Sequence, residues 1–211
     1  MVRMASNSTA RPYRGVDAAD RLARRRRQLL EAGLELLGSE PGASELTVRA
    51  VCRQAGLTVR YFYESFTAKD DLVAAVFDWV IADIAATTQA AVAAAPPDEQ
   101  SRAGMANVVR AIAADARVGR LLFGVELSNA VIVRKRVEST ALFAALLFQH
   151  AGSLGAHDND TTRAASHFAV GGVGQTVSAW LSGAVTLSAG QLADQLAATL
   201  DALANPSRYT D

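Results

Sequence analysis

Cysteine occurs once, at Cys52, so no intrachain disulfide can form and a reducing compartment is the natural setting. Proline supplies only five residues and aromatics 6% of the chain, a balance that disfavours strand. No stretch approaches the roughly 18 to 20 apolar residues needed to cross a bilayer. The opening MVRMASNSTARPYRG also lacks the apolar core of a signal peptide. The expectation is a soluble, cytoplasmic chain with no membrane partner. Catalytic signatures are missing as well. His150, His157 and His167 lack HExxH spacing, no G-x-S-x-G elbow or phosphate loop is present, and Gly171, Gly172 and Gly174 sit within a helical stretch rather than after a strand. His157, Asp158, Asp160 and His167 straddle a predicted loop and read as solvated. An enzyme, a metal site and a cofactor are therefore not expected.

Net charge is lacking too, since 21 Lys and Arg balance 21 Asp and Glu. Taken alone, this argues against a nucleic-acid partner, because nucleic-acid-binding domains carry a basic footprint. The average conceals a partition. Through Lys69 there are 12 basic residues against 7 acidic, and from Asp70 onward 9 against 14, so a front of +5 precedes a rear of −5. Such asymmetry suggests a DNA-facing segment joined to one with another task.

What the chain has in abundance is alanine and leucine, within a hydrophobic content of 50%. These are the best intrinsic helix formers, and the fold class expected is all-α. A length of 211 residues suffices for one sizeable core or two small domains. Residues 1–19 are polar, punctuated by Arg11, Pro12, Arg14 and Gly15, and read as a flexible arm. From Asp20 the spacing of Leu22, Leu29, Leu30, Gly33, Leu34 and Leu37 is close to 3.6, predicting a first helix that stops at Gly38, Pro41 and Gly42. Thr47 is an N-cap residue for a two-turn helix whose apolar face is Val48, Val51, Cys52 and Ala55, ending at Gly56. After Thr58, another N-cap type, VRYFYESF places Phe62 and Phe66 four apart on one face. Leu72, Val73, Val76, Phe77, Val80, Ile81 and Ile84 then mark a long helix ended by Pro96 and Pro97. Further helices are predicted at about 98–116, 118–123, 125–152, 160–183 and 188–204.

Two short capped helices around a glycine turn, with one side of the second left free, are the parts of a helix-turn-helix. The segment TVRAVCRQAGLTVRYFYESFTAKDDL resembles the TetR family of bacterial transcriptional regulators. The points of match are Thr47, Val48, Val51, Ala55, Gly56, Leu57, Thr58, Tyr63, Phe66, and Lys69 followed by an acidic residue and Leu72. The resemblance implies a three-helix DNA-binding domain over residues 20–69 and a helical-bundle ligand-binding and dimerisation domain over 70–211. It implies phosphate contacts from Thr47, Thr58, Tyr63 and Lys69, which position the protein without specifying sequence. Arg60 and Phe62 depart from the small and aliphatic residues usual in the family. Arg60 has either a guanine edge, where arginine grips O6 and N7, or a phosphate or solvent before it. Val59 and Tyr61 are further candidates for base edges, Arg49 for the backbone, and Phe62 for packing beneath the motif. Of Arg24 to Arg27 only some can face DNA, the rest forming a solvated helix face. Arg11 and Arg14 have a minor-groove alternative. Cys52 reads as a small core residue.

For the rear, HFAVGGVGQTVSAWLSG and SAGQLADQLAATLDAL resemble the final helix pair that forms a four-helix bundle across a dimer twofold. Gly171, Gly172 and Gly174 would let backbones approach there, or mark a loosely packed crossing within the chain. Bundle ligands bind in apolar cavities with a few placed polar groups. The candidates for such a site are Phe77, Trp79, Met105, Val109, Phe123, Asn129, Phe168 and Gln175, with Phe143 and Trp180 assigned to core or interface. The partners implied are double-stranded operator DNA, a second copy of the chain and a small-molecule effector, the outcome being repression relieved by ligand. The alternatives are a helical protein-interaction module, against which the basic front argues, and a ligand-independent DNA-binding protein.

Overall fold

The computed structural model describes residues 15–39, 46–124, 129–153, 155 and 157–204. The described residues are all-helical: α1 (Gly15–Gly38), α2 (Val48–Ala55), α3 (Val59–Tyr63), α4 (Lys69–Ala94), a 3-10 turn at Pro97–Glu99, α5 (Gln100–Ala114), α6 (Ala116–Phe123), α7 (Ala130–Ser153), α8 (Asp160–Leu181) and α9 (Ala189–Ala204). Two boundaries differ from expectation. α1 begins at Gly15 instead of Asp20, and α7 at Ala130 instead of about 125. Arg11 and Arg14 lie outside the described residues.

Local chemistry sets the helix ends. Thr47 Oγ1 accepts the Ala50 N–H at 3.1 Å to open α2. At its other end Gly56 has φ 64°, and the Leu57 N–H reaches back to the Cys52 carbonyl at 2.9 Å. A Cβ on Gly56 would meet nothing within 4 Å, so the left-handed backbone, not space, is what asks for glycine. At the start of α4 the Asp71 carboxylate accepts the N–H groups of Thr67 and Ala68 at 3.2 and 3.1 Å, and the Thr67 hydroxyl. These bonds hold its pKa below the usual carboxylate value. Asn159 Oδ1 accepts the Thr162 N–H at 2.8 Å to start α8.

Two apolar clusters form the interior. The larger joins α1 to α4 with α6 and the start of α7, through Leu29, Leu37, Val51, Phe62, Leu72, Val76, Phe77, Leu121 and Ile132. The smaller joins α5, α8 and α9 through Val109, Ile112, Val177, Leu192 and Leu196. α4 is the rod shared by front and rear: one face of its first half is buried, from Leu72 to Ile84. Farther along, Asn107 of α5 donates to the hydroxyls of Thr87 and Thr88, both at 3.0 Å, a buried amide satisfied by its neighbours.

A second joint ties α1 directly to α6. A Cβ on Gly38 would overlap the Cβ and Cα of Arg117, so only glycine lets the two backbones cross there. Arg117 grips Asp115 through Nε and Nη2, at 2.9 and 2.6 Å, and Glu35 of α1 through Nη1 at 2.6 Å. The Arg117 guanidinium holds the Asp115 carboxyl below its ordinary value. Arg120 Nη1 donates to the Gly38 carbonyl at 2.6 Å, closing the last turn of α1. On the far side of α4, Lys135 of α7 lies 3.0 Å from Asp78 and 2.9 Å from Glu138.

Candidate nucleic-acid interface and ligand cavity

α3 has five residues, and its orientation is fixed by the two rings it buries or abuts. Phe62 is fully buried, edge-on to Tyr63 at 5.4 Å and tilted against Phe66 at 5.6 Å. With that face anchored, Thr58, Val59, Arg60 and Tyr63 are exposed, Tyr63 by 58%. The Thr58 side chain makes no capping bond, so its hydroxyl is unspent. Thr47 uses an acceptor lone pair for its cap and keeps its O–H as a donor. Arg49 is exposed on α2, and Lys69 is half-buried at the first position of α4. A cation at a helix N-terminus opposes the dipole, so the fold gains nothing from Lys69 there. Arg60 lies 3.3 Å from Glu64 with 85% of its side chain exposed. Such a surface pair is worth about 0 to 1 kcal/mol and does not prevent Arg60 from reaching outward.

Tyr61 departs from this group. It is half-buried with the Arg25 guanidinium 4.0 Å above its ring, so it faces α1 instead of standing with the exposed residues. The arginine run is largely exposed, at Arg24, Arg26 and Arg27, and three of its four members also make contacts. Arg25 pairs with Glu64 at 3.1 Å, Arg26 donates to the Ser65 carbonyl at 2.9 Å and covers Phe66, and Arg27 pairs with Glu31 at 3.1 Å while lying over Trp79. These three clamp α1 onto α3, the turn after it and α4. A charge run carries no sign of its partners, and the aromatic residues some forty positions away were the available hint. Cys52 is buried, and desolvation pushes its thiol pKa up.

In the rear, a cavity of ≈ 1590 Å³ lies among α4, α5, α7 and α8, with the ends of α6 and α9. Of the eight candidates, Phe77, Met105, Phe123 and Gln175 line it. The other four are placed elsewhere for identifiable reasons. Trp79 packs toward α1 under Arg27, and Val109 is buried in the smaller cluster. Asn129 accepts the Val131 N–H at 2.8 Å at the start of α7, and Phe168 is 70% exposed on α8. Phe143 lines the cavity as well as packing on the larger cluster. Trp180 packs on the smaller one and donates its indole N–H to the Leu187 carbonyl at 2.8 Å.

Most of the cavity wall was not foreseen, and two of its residues stand out. Gln100 Oε1 and Arg136 Nε are buried with no hydrogen-bond partner among the described residues. Arg136 had a signal: it falls on one helical face with Ile132, Ser139, Thr140 and Phe143, a cation on the inward stripe of α7. Gly171 and Gly172 meet nothing within 4 Å, and Gly174 only Phe123 at 3.9 Å, so close crossing within the chain does not explain them. Among the described residues no group of three or more His, Cys, Asp or Glu comes together, and no helix is long and apolar enough to cross a membrane.

Residues 29–76 match the family described as bacterial regulatory proteins, tetR family. No curated protein matches the chain in sequence. Among solved structures it is similar to the fatty acid degradation regulator FadR from Bacillus halodurans, at 17% identity over 83% of this chain and 94% of that one, with a TM-score of 0.67. It is similar to the transcriptional regulator FadR from Bacillus subtilis, solved in complex with stearoyl-CoA, at 18% identity over 82% and 96% of the two chains, TM-score 0.65. A tetR-family transcriptional regulator from Streptomyces coelicolor gives 16% identity over 86% and 80%, TM-score 0.65. At these identities the likeness shows the fold, while the match over α1 to α4 concerns the segment that carries the exposed α3. Residues 29–76 thus carry the segment of the bacterial regulatory proteins of the tetR family, and the chain shares the fold of these solved regulators.

Proposed function

We propose that the chain is a ligand-responsive repressor that binds a pseudo-palindromic operator as a homodimer, with residues 20–69 reading DNA and 70–211 binding ligand and partner. The observation that carries this reading is the exposed crest of Thr58, Val59, Arg60 and Tyr63 on a helix pinned from behind by Phe62. In a major groove, Arg60 and Val59 meet base edges, while Thr47, Thr58, Tyr63 and Lys69 meet phosphates and Arg49 lies along the backbone. Dimerisation uses α8 and α9. Phe168, Gly171, Gly172 and Gln175 form one exposed stripe on α8, and Gln191, Gln195 and Ala198 another on α9. Two copies then place their α3 helices in successive grooves about 34 to 36 Å apart, or farther if dimers pair.

The cavity is the effector site in this reading, and the complex of the Bacillus subtilis neighbour with stearoyl-CoA supports it by analogy. Ligand acts by preferring a conformer in which α4 and α6 hold the two heads out of register. Moving the population from 1:99 to 99:1 takes about 5.5 kcal/mol of differential affinity. The test is salt-dependent binding to the DNA flanking the protein's own gene. Binding is expected to exceed that to random DNA and to fall at least about tenfold in an Arg60→Ala, Tyr63→Ala double variant. Equal affinity for both DNAs, or an unaffected double variant, removes the reading.

A further inference from the structure

We propose that the cavity takes an elongated, largely apolar molecule with one anionic head, and that Arg136 receives that head. The assignment deepens the ligand-release reading and depends on it only for the consequence at DNA.

Length comes first. α4 lines the cavity from Phe77 to Ala93 and α8 from Thr161 to Ser178. At 1.5 Å per residue each stretch is about 25 Å long. The volume of ≈ 1590 Å³ exceeds the range of about 300 to 1,000 Å³ usual for small-molecule sites. A space of that length suits a chain better than a compact ring system. Its middle is apolar, with Ile84, Met105, Val108, Phe143, Leu147 and Val173. The end where α7 turns toward α8 is open, lined by exposed Gln149, His157 and Asn159. The other end, beside α6, holds Arg136.

Arg136 is a cation with idle donor capacity. Its Nη2 donates to the carbonyls of Leu121 and Gly124 at 3.0 and 2.8 Å. Its Nε–H is buried and unpaired, and it forms no ion pair among the described residues. Burial lowers its pKa, the sign of a guanidinium partly stripped of water without a counter-charge. A carboxylate binds an arginine side-on through Nε–H and Nη2–H, so it satisfies the idle Nε–H and supplies the missing charge while displacing one carbonyl from Nη2, whose two hydrogens are both in use. Ser139 and Thr140, also on the wall, have hydroxyls already bonded to the Arg136 carbonyl, so their rotamers are set before a ligand arrives.

The same guanidinium edge holds the end of α6. An anion sharing Nη2 competes with Leu121 and Gly124, and α6 is the helix whose Arg117 and Arg120 grip Glu35 and Gly38 of α1. Head-group binding therefore acts on the joint between the cavity and the DNA-binding domain.

The experiment is titration of the full chain with hexadecanoate, 1-hexadecanol and hexadecanoyl-CoA, followed by calorimetry. The acid is expected to bind at least about tenfold more tightly than the alcohol, the scale of a charge-assisted pair. Arg136→Gln should erase that preference while leaving the alcohol's affinity in place. Arg136→Lys keeps the charge without the planar edge and should retain part of the preference, which covers the case of a glutamine variant that fails to fold. Acid and alcohol binding the native chain equally overturns the assignment without any variant. So does hexadecanoyl-CoA binding equally to native and Arg136→Gln protein while the free acid does not bind. DNA release measured in the same samples separates the two claims. Arg136-dependent acid binding with DNA retained sinks ligand release and leaves the ligand assignment standing.

Discussion

The arginines of α1 and the arginine of the rear cavity are handled in different ways. In the front, cations are fastened: Arg25 to Glu64 and Tyr61, Arg26 to the Ser65 carbonyl, Arg27 to Glu31 and Trp79. The residues left exposed on α3 stand on a fully buried phenylalanine. In the rear, a long cavity is left open, and Gln100 and Arg136 each keep a buried atom unpaired. On the proposed reading, fixed geometry serves a surface that matches a rigid duplex, and bonds still to be made serve a site that changes state on binding.

The front depends most on Phe62. Phe62→Ala removes the anchor of α3 and should cost about 3 to 5 kcal/mol in urea unfolding, with specific DNA binding lost. An unchanged midpoint would mean that α3 is held by something other than its buried ring. A smaller effect is expected at glycines. Gly38→Ala forces apart the backbones of α1 and α6 and should cost about 1 to 3 kcal/mol in thermal or urea unfolding. Gly172→Leu has open space within the chain and should leave the protomer folded, while shifting sedimentation toward monomer if α8 forms the proposed interface. A dimer that survives removes α8 from that role.

The smallest effect is one of pH. Asp115 has a folded-state pKa below its ordinary 3.8 because Arg117 stands beside it. Its stabilising contribution is therefore fully present above that ordinary value and is lost as pH falls through the lowered one. Asp115→Asn should lower the melting temperature at neutral pH, and the gap between the two proteins should begin to close as pH falls below 3.8 and be gone once pH lies below the lowered folded-state value. A gap that persists there would show that the carboxylate's charge is not what Arg117 uses.

Much of the front was legible because its determinants are local. Thr47, Gly56 and the four-residue spacing of Phe62 and Phe66 are a cap, a turn and a face, each visible within a few positions. Tyr61 was not, because a helix of five residues presents its sides according to what packs on it, here Arg25 from a distant part of the chain. The rear was half legible for a related reason. Phe77, Met105 and Phe123 are apolar residues at inward positions, but so is Val109, and only the packing of α5 on α9 decides that it lies in core rather than on the cavity wall, while Gln175 borders the cavity from an exposed position on α8. Trp79 was claimed by Arg27, a contact with no trace in either residue's neighbours.

The fastened arginines of α1 also bear on ionic strength. A protein that neutralises phosphates releases condensed counterions, and its affinity falls with salt by a slope of about −0.9 for each phosphate engaged. Arg25 and Arg27 stand against the carboxylates of Glu64 and Glu31 and so bring little net charge to a duplex. In the proposed complex the counterions released are set mainly by cations with no carboxylate beside them among the described residues, Arg24, Arg26, Arg49, Arg53 and Lys69, since Arg60 also stands 3.3 Å from Glu64. The run of four arginines therefore overstates the polyelectrolyte part of binding, and affinity should survive added salt better than a count of basic residues foretells.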